Sequence, residues 1–267
     1  VLYGQMEREL EKALGLKEAI IVPGGLGPES TSHSDAELGR AALKYLARNI
    51  HEGDYIGISM GRILQNIVRS DYQIDEQVPC TFVPILGGFG ESNPNLHSNY
   101  LAQEFAERFG GDYVQLLAPA LVSNRSVMKY FMEEKPIYKV SRLFKKLAMV
   151  IMGIGIPNTE HSTVLHSGYV DKEILESFVQ RGAVGDISLR YFDINGQTEP
   201  FQEFNQRVVG MALEELSTVP CRVGIASGQY KVNAVLGATR GKYINVLITD
   251  ADCAQGLLEA VAPKDKD

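Results

Sequence analysis

The stretch Tyr55-Ile56-Gly57-Ile58-Ser59-Met60-Gly61-Arg62 decides the fold class. Its first half is a short apolar run of strand character. Its second half is a hydroxyl, a glycine turn and a cation, and from Arg62 to Arg69 the apolar spacing becomes helical. A strand that feeds directly into a helix is the repeating unit of a parallel sheet, because parallel neighbours need a crossover where antiparallel ones need only a turn. The same alternation extends in both directions. Upstream, Leu2, Met6, Leu10 and Leu14 form one helical stripe that Gly15 can stop, residues 18–23 read as a buried strand, and the Gly/Ser-rich residues 24–34 read as a loop. Ser34 is expected to cap a second helix with Leu38, Ala41, Ala42, Tyr45, Leu46 and Ile50 on its buried face, and Gly53-Asp54 turns the chain into the quoted strand.

Downstream, strands are expected at 81–86, 113–117, 149–154, 183–193, 222–226 and 245–249, with helices at 99–109, 123–133, 138–146, 172–180, 202–217, 230–239 and 251–260. The expected class is therefore α/β, a Rossmann-like, mostly parallel sheet flanked by helices. No internal repeat and no Pro- or Ser-rich linker divides the chain, so one domain over residues 1–267 is expected. Asn195-Gly196 signals a local turn, and residues 263–267 read as a fraying tail.

Composition removes several function classes. The 267 residues carry 26 Lys+Arg against 33 Asp+Glu, a net charge of −7. No apolar run approaches the ~20 residues of a membrane-spanning helix. No adjacent basic cluster exceeds Lys145-Lys146, so the chain is not expected to grip a phosphate backbone by itself. Cys80, Cys221 and Cys253 form no Cys-x-x-Cys pair, which argues against a zinc knuckle or disulfide framework and fits a reducing cytoplasm. No cofactor and no metal are expected: Gly24-Gly25-Leu26-Gly27 does not complete the dinucleotide fingerprint, no phosphate-loop motif occurs, and His161 and His166 beside Glu160 lack zinc-motif spacing. Val1 and a start inside a helical pattern read as a fragment or processed chain.

In open α/β sheets ligands bind beyond the carboxyl ends of the strands, so the residues after each strand carry the functional reading. Four places qualify. Ser59-Met60-Gly61-Arg62 combines hydroxyl, backbone amides and a guanidinium suited to an anion; the plainer reading is an ordinary strand-to-helix turn. Gly87 and Gly88 permit close approach to backbone, and His97 and Asn99 behind them suit hydroxyl groups; a surface loop explains them equally. Gly153-Ile154-Gly155 can line a pocket floor or simply pack closely. Asp186 and Lys231, each near a glycine beside an expected strand, suit hydroxyls and an anionic group, or else a structural salt bridge. Asp193 is expected to shape the Asn-Gly turn rather than to partner Asp186.

Taken together, these segments resemble the sugar-binding effector domain of SorC-type bacterial transcriptional regulators over nearly the whole chain. The resemblance rests on residues 8–18 (Glu-Leu-Glu-Lys-Ala-Leu-Gly-Leu-Lys-Glu-Ala), 57–62, 182–187 (Gly-Ala-Val-Gly-Asp-Ile), the Phe-Asp-x-x-Gly of 192–196, Gly228-Gln229-Tyr230-Lys231, and 241–250 with Ala254. It implies a fold similar to sugar-phosphate isomerases, deaminases and CoA transferases. It also implies a homodimer or homotetramer and an N-terminal helix-turn-helix domain absent from this chain, through which operator DNA would be contacted. The implied effector is a sugar or sugar phosphate, held by Ser59, Gly61, Arg62, Gly87, Gly88, His97, Asn99, Asp186 and Lys231. Ile63, Met60 and Leu86 depart from the family pattern and remove donors, which favours a monophosphate or an uncharged sugar over a bisphosphate. The competing reading is a sugar-phosphate isomerase or deaminase with Asp186 as base and Lys231 as electrophile, but the sequence offers no clear second acid or base.

Overall fold

The computed structural model describes residues 3–24, 31–88, 93–157 and 170–262, without the side chains of 31–34. Of the loop expected at 24–34, residues 25–30 lie outside the described residues, as do His161, His166 and the tail, while residues 31–34 are helical rather than loop. In chain order the elements are α1 (Gly4–Leu14), β1 (Glu18–Val22), α2 (Thr31–Asn49), β2 (Tyr55–Ile58), α3 (Arg62–Val68), β3 (Thr81–Pro84), α4 (Ser98–Phe109), β4 (Asp112–Tyr113), α5 (Arg125–Glu133) and α6 (Lys135–Ser141). There follow β5 (Leu147–Gly153), α7 (Lys172–Gln180), β6 (Ala183–Ile187), β7 (Arg190–Asp193), α8 (Gln202–Asn205), α9 (Leu213–Leu216), β8 (Cys221–Ala226), α10 (Val232–Arg240), β9 (Val246–Asp250) and α11 (Ala251–Val261).

Seven strands form one wholly parallel sheet in the order β1-β9-β8-β5-β2-β3-β4. Its central strands are apolar on both sides because each face is covered. Ile56, Ile58, Met149, Ile151, Val223 and Ile248 pack under α2, α3 and α4 on one face. Val83, Val150, Met152 and Leu247 pack with residues of α1, α6, α10 and α11 on the other. The edge strand β1 is guarded by α1: Glu11 Oε1 accepts the Ala19 amide at 3.0 Å and Glu7 Oε1 accepts the Ile21 amide at 3.0 Å. Side chains thus satisfy backbone donors that would otherwise invite another strand.

The order of strands creates a switch point. After β2 the chain runs outward through β3 and β4, then returns to β5 on the opposite side of β2 and continues through β8 to β9. Connections therefore diverge between β2 and β5, leaving a crevice beyond their carboxyl ends.

Several sequence expectations need correction. Residues 183–193 form an antiparallel hairpin, not one strand; Ser188 and Leu189 both have positive φ, 49° and 65°, as a two-residue type I′ turn requires. The helix expected at 202–217 is two single turns, α8 and α9, flanking an extended segment. That segment is fixed by buried Arg190, which donates through Nε to the Met211 carbonyl, through one terminal nitrogen to Asn205, and through the other to Val208 and Gly210. Residues 138–146 divide into the end of α6 and a 3-10 segment, Arg142–Lys146, and the strand expected at 113–117 is reduced to β4. Because α2 begins at Thr31, Ser34 lies within the helix rather than at its cap. Asp193 does shape the turn at 195–196: its Oδ1 accepts from the Asn195 and Gln197 amides at 2.9 and 2.8 Å.

A third apolar cluster lies around the hairpin. Phe178, Tyr191, Phe201 and Phe204 pack edge-to-face or tilted, with ring centroids 4.6–5.9 Å apart. This cluster forms a cap joined to the sheet body by two-way bonding between Gly155 and Asp186 and by a bridge from Leu86 to Gly210.

Candidate functional site

A cleft of about 480 Å³ opens at the switch point, beneath the tip of the β6–β7 hairpin. Three strand ends of the sheet contribute. From β2 come Ser59 to Ile63, from β5 Gly153 to Ile156, and from β8 Ile225 to Ser227; the hairpin adds Asp186, Ser188 and Leu189. Asp35 of α2 and the pair Tyr230 and Lys231 complete the wall. Gly61 adopts φ 119°, a conformation that L side chains rarely take, and leads into α3.

The buried hydroxyls of Ser59 and Ser188 lie 2.7 Å apart and tie the hairpin tip to the end of β2. Ser188 and Leu189 hold left-handed backbone without being glycine, a conformation that costs about 1 kcal/mol or more per residue. The surroundings hold it: the Leu189 side chain is buried, and its amide donates to Asp186 Oδ2 at 3.3 Å. Gly155 is required opposite, because a Cβ there would collide with the Asp186 carboxylate.

The cleft holds two acids and two cations, of which Asp186 is buried, Asp35 and Lys231 are half-buried and Arg62 is exposed. Burial pushes the Asp186 carboxyl up to about 6, against the opposing pull of Lys231 and the Leu189 amide. Burial lowers Lys231, with Asp186 acting the other way. The two influence each other across the cleft without forming an ion pair within 4 Å; Lys231 Nζ instead donates to the Ile154 carbonyl at 2.6 Å. Asp35 is raised by burial, in opposition to Arg62 and a hydrogen bond with Asn66, and Tyr230 is raised by burial and by Asp35. Such a set offers hydroxyl acceptors, hydroxyl donors and two cations around a small polyhydroxy molecule. Among the described residues no three His, Cys, Asp or Glu side chains gather as a metal site.

A family model described as "Putative sugar-binding domain" matches residues 3–259. The chain belongs to that family. It is 29% identical to the sorbitol operon regulator of Klebsiella pneumoniae over 95% of this chain and 80% of that protein. The full-length crystal structure of that species' sorbitol operon regulator superposes with a TM-score of 0.82 at 27% identity, covering 95% of this chain and 80% of the other. The domain of a Vibrio fischeri transcriptional repressor described as "Putative Sugar-Binding Domain" superposes with a TM-score of 0.84 at 26% identity, covering 97% of this chain and 100% of the other. The resemblance to SorC-type effector domains is thus carried by both sequence and fold.

Of the residues singled out from sequence, Ser59, Gly61, Arg62, Asp186 and Lys231 are brought together in the cleft. Gly87, Gly88, His97 and Asn99 lie outside its lining. Gly87 and Gly88 donate to the Val209 and Ala118 carbonyls, at 2.9 and 2.8 Å, and knit β3 to the segments beside it. Asn99 clamps Leu116, its Nδ2 donating to the carbonyl at 3.0 Å and its Oδ1 accepting from the amide at 2.8 Å. His97 sits at the start of α4, where its carbonyl accepts from the Leu101 amide. Sequence reasoning missed Asp35, Ser188 and Ser227. Ser188 was concealed by reading the hairpin as one strand, and Asp35 lies on a helix far in sequence from any strand end. Tyr230 was visible beside Lys231 but carried no separate signal.

Proposed function

We propose that the chain is the effector-binding and oligomerising part of a bacterial transcriptional regulator, and that a sugar or sugar monophosphate occupies the switch-point cleft. The observation that carries this reading is the cleft itself, in which groups from both sheet body and cap converge with buried Ser59, Ser188 and Asp186 beside Lys231. A ligand touching both parts fixes the hairpin relative to the sheet, which is a physical means of changing an attached DNA-binding segment. In this reading residues 1–267 act as one domain. Operator DNA is bound in sequence-specific fashion by a helix-turn-helix segment outside the chain, and the protein works in the cytoplasm as a homodimer or homotetramer. Gly87, Gly88, His97 and Asn99 then support the pocket rather than touch the effector.

An isomerase or deaminase reading is less well supported. The two groups that reading assigns as electrophile and base are already engaged, Lys231 by the Ile154 carbonyl and Asp186 by the Leu189 amide. The test is a thermal-shift panel of sugars and their phosphates, followed by calorimetric titration of any compound that raises the melting temperature. Incubation with each hit should leave it chemically unchanged by NMR. A panel without hits, or turnover of a hit, overturns the proposal.

A further inference from the structure

The chain is acidic as a whole, yet one segment is strongly basic. Residues 125–146 hold seven Lys or Arg and two Glu, a net +5, so the other residues carry −12. In sequence these cations are scattered, and only Lys145-Lys146 are adjacent. In the fold, α5, α6 and the following 3-10 segment succeed one another directly, and all seven cationic residues are exposed. Lys135 and Lys139 recur at the spacing of one α-helical face, and Arg142 and Lys145 at that of the 3-10 turn, while Ile137 and Val140 turn into the core. Among the described residues none of the seven lies within 4 Å of a carboxylate. Tyr130 and Tyr138 stand exposed among them, 70% and 49% accessible. The part of the segment that forms a basic face is Lys135 to Lys146: Lys146 Nζ is 6.0 Å from the Tyr55 ring at the start of β2, at the opposite end of the strands from the cleft, whereas Arg125 and Lys129 line a second cavity beside Glu214 and Glu215.

We propose that this face is a sequence-independent contact for the phosphate backbone of double-stranded DNA. Cations left uncompensated on an acidic protein repel one another unless a polyanion meets them, and a duplex presents regularly spaced charge of the required sign. A two-fold contact centred on this face would set like charges against each other, so a second copy matches it poorly in that arrangement. Exposed tyrosine hydroxyls add donors suited to phosphate oxygens. The inference rests on the regulator reading for the presence of DNA, but its test does not depend on the effector.

The measurement is fluorescence anisotropy of a labelled random-sequence duplex titrated with the purified chain. Wild type should bind at low salt. If about four phosphates are neutralised, affinity should fall on the order of 100-fold between 50 and 200 mM salt. The triple variant Lys135→Glu, Lys139→Glu, Arg142→Glu should lose about 10-fold or more at low salt. A charge-matched control at exposed positions, Lys12→Glu, Lys17→Glu, Lys44→Glu, should stay within about two-fold of wild type. Absence of wild-type binding at low salt, or equal losses in both triples, overturns the proposal. Self-association that the first triple abolishes, without DNA binding, would assign the face to a chain–chain contact and also overturn it. Effector binding measured on the same samples distinguishes this failure from failure of the regulator reading.

Discussion

At the scale of single residues, Asp186 and Lys231 make the sharpest claims. Asp186 has an ordinary value of 3.8 that burial raises to about 6. The folded state therefore binds its proton more tightly than the unfolded chain. The stability it contributes is full below about pH 4 and is lost as pH rises through about 6. Asp186→Asn keeps an acceptor for the Leu189 amide and removes that loss. The variant should gain on wild type across this window, reaching about 3 kcal/mol at neutral pH. Urea unfolding of both proteins at several pH values checks it, and a pH-independent difference would remove burial of the charge as the cause. Lys231→Met deletes a cation that also holds the Ile154 carbonyl, so the melting temperature of the ligand-free protein should fall as well. What isolates the charge is a comparison of ligands. A phosphorylated sugar should lose roughly 2 to 5 kcal/mol of binding, its unphosphorylated counterpart less than about 1 kcal/mol. Equal losses by calorimetry would assign Lys231 a structural part alone.

At the scale of elements, the β6–β7 turn is testable through its backbone. Ser188→Ala loses the Ser59 hydroxyl and keeps the strained φ, whereas Ser188→Gly loses the same bond but relieves the strain. The glycine variant should be the more stable by about 1 kcal/mol in chemical denaturation, and parity would refute the left-handed reading of the turn. Arg190→Lys should cost about 3 kcal/mol, because an ammonium cannot reach the four carbonyls that the planar guanidinium spans. These two features also explain what the sequence concealed. The alternation of strand and helix was legible because the central strands are continuously apolar and their crossovers have helical spacing. The hairpin was not, since its turn is Ser-Leu, whose positive φ values are imposed by Ser59, Asp186 and burial of Leu189. The helix expected at 202–217 has the right apolar spacing, with Phe204, Val208 and Leu216 all buried. Its carbonyls are instead drawn to Arg190, which no local pattern announces. Strand-end reasoning found Ser59, Gly61 and Arg62 after β2 and Lys231 after β8; it misplaced Gly87 and Gly88 after β3, passed over Ser227, and could not reach Asp35 and Ser188, which come to the cleft from a helix and a turn.

At the scale of the whole molecule, the question is whether cap and sheet body unfold together. The cap has its own apolar cluster around Phe178 and Tyr191, so it has the means to melt separately. Against that, it is tied to the body at several independent points. The Gly155–Asp186 bridge and the Ser59–Ser188 contact lie at the cleft, and the Leu86–Gly210 bridge lies behind it. The buried Arg190 clamp also holds the segment through which the chain returns towards β8. Breaking the cap away would expose these buried polar groups together with the cleft wall, so opening and global unfolding should be one event. We expect a single heat-absorption peak for the ligand-free chain, with calorimetric and van't Hoff enthalpies in agreement. An effector that bridges cap and body at 100 times its dissociation constant then stabilises the whole unit by about 2.7 kcal/mol. For a chain of this length that raises the melting temperature by roughly 5 to 10 °C without changing the number of peaks. Two peaks in the ligand-free protein that merge when effector is added would show instead that the cap is a separate folding unit recruited by the ligand.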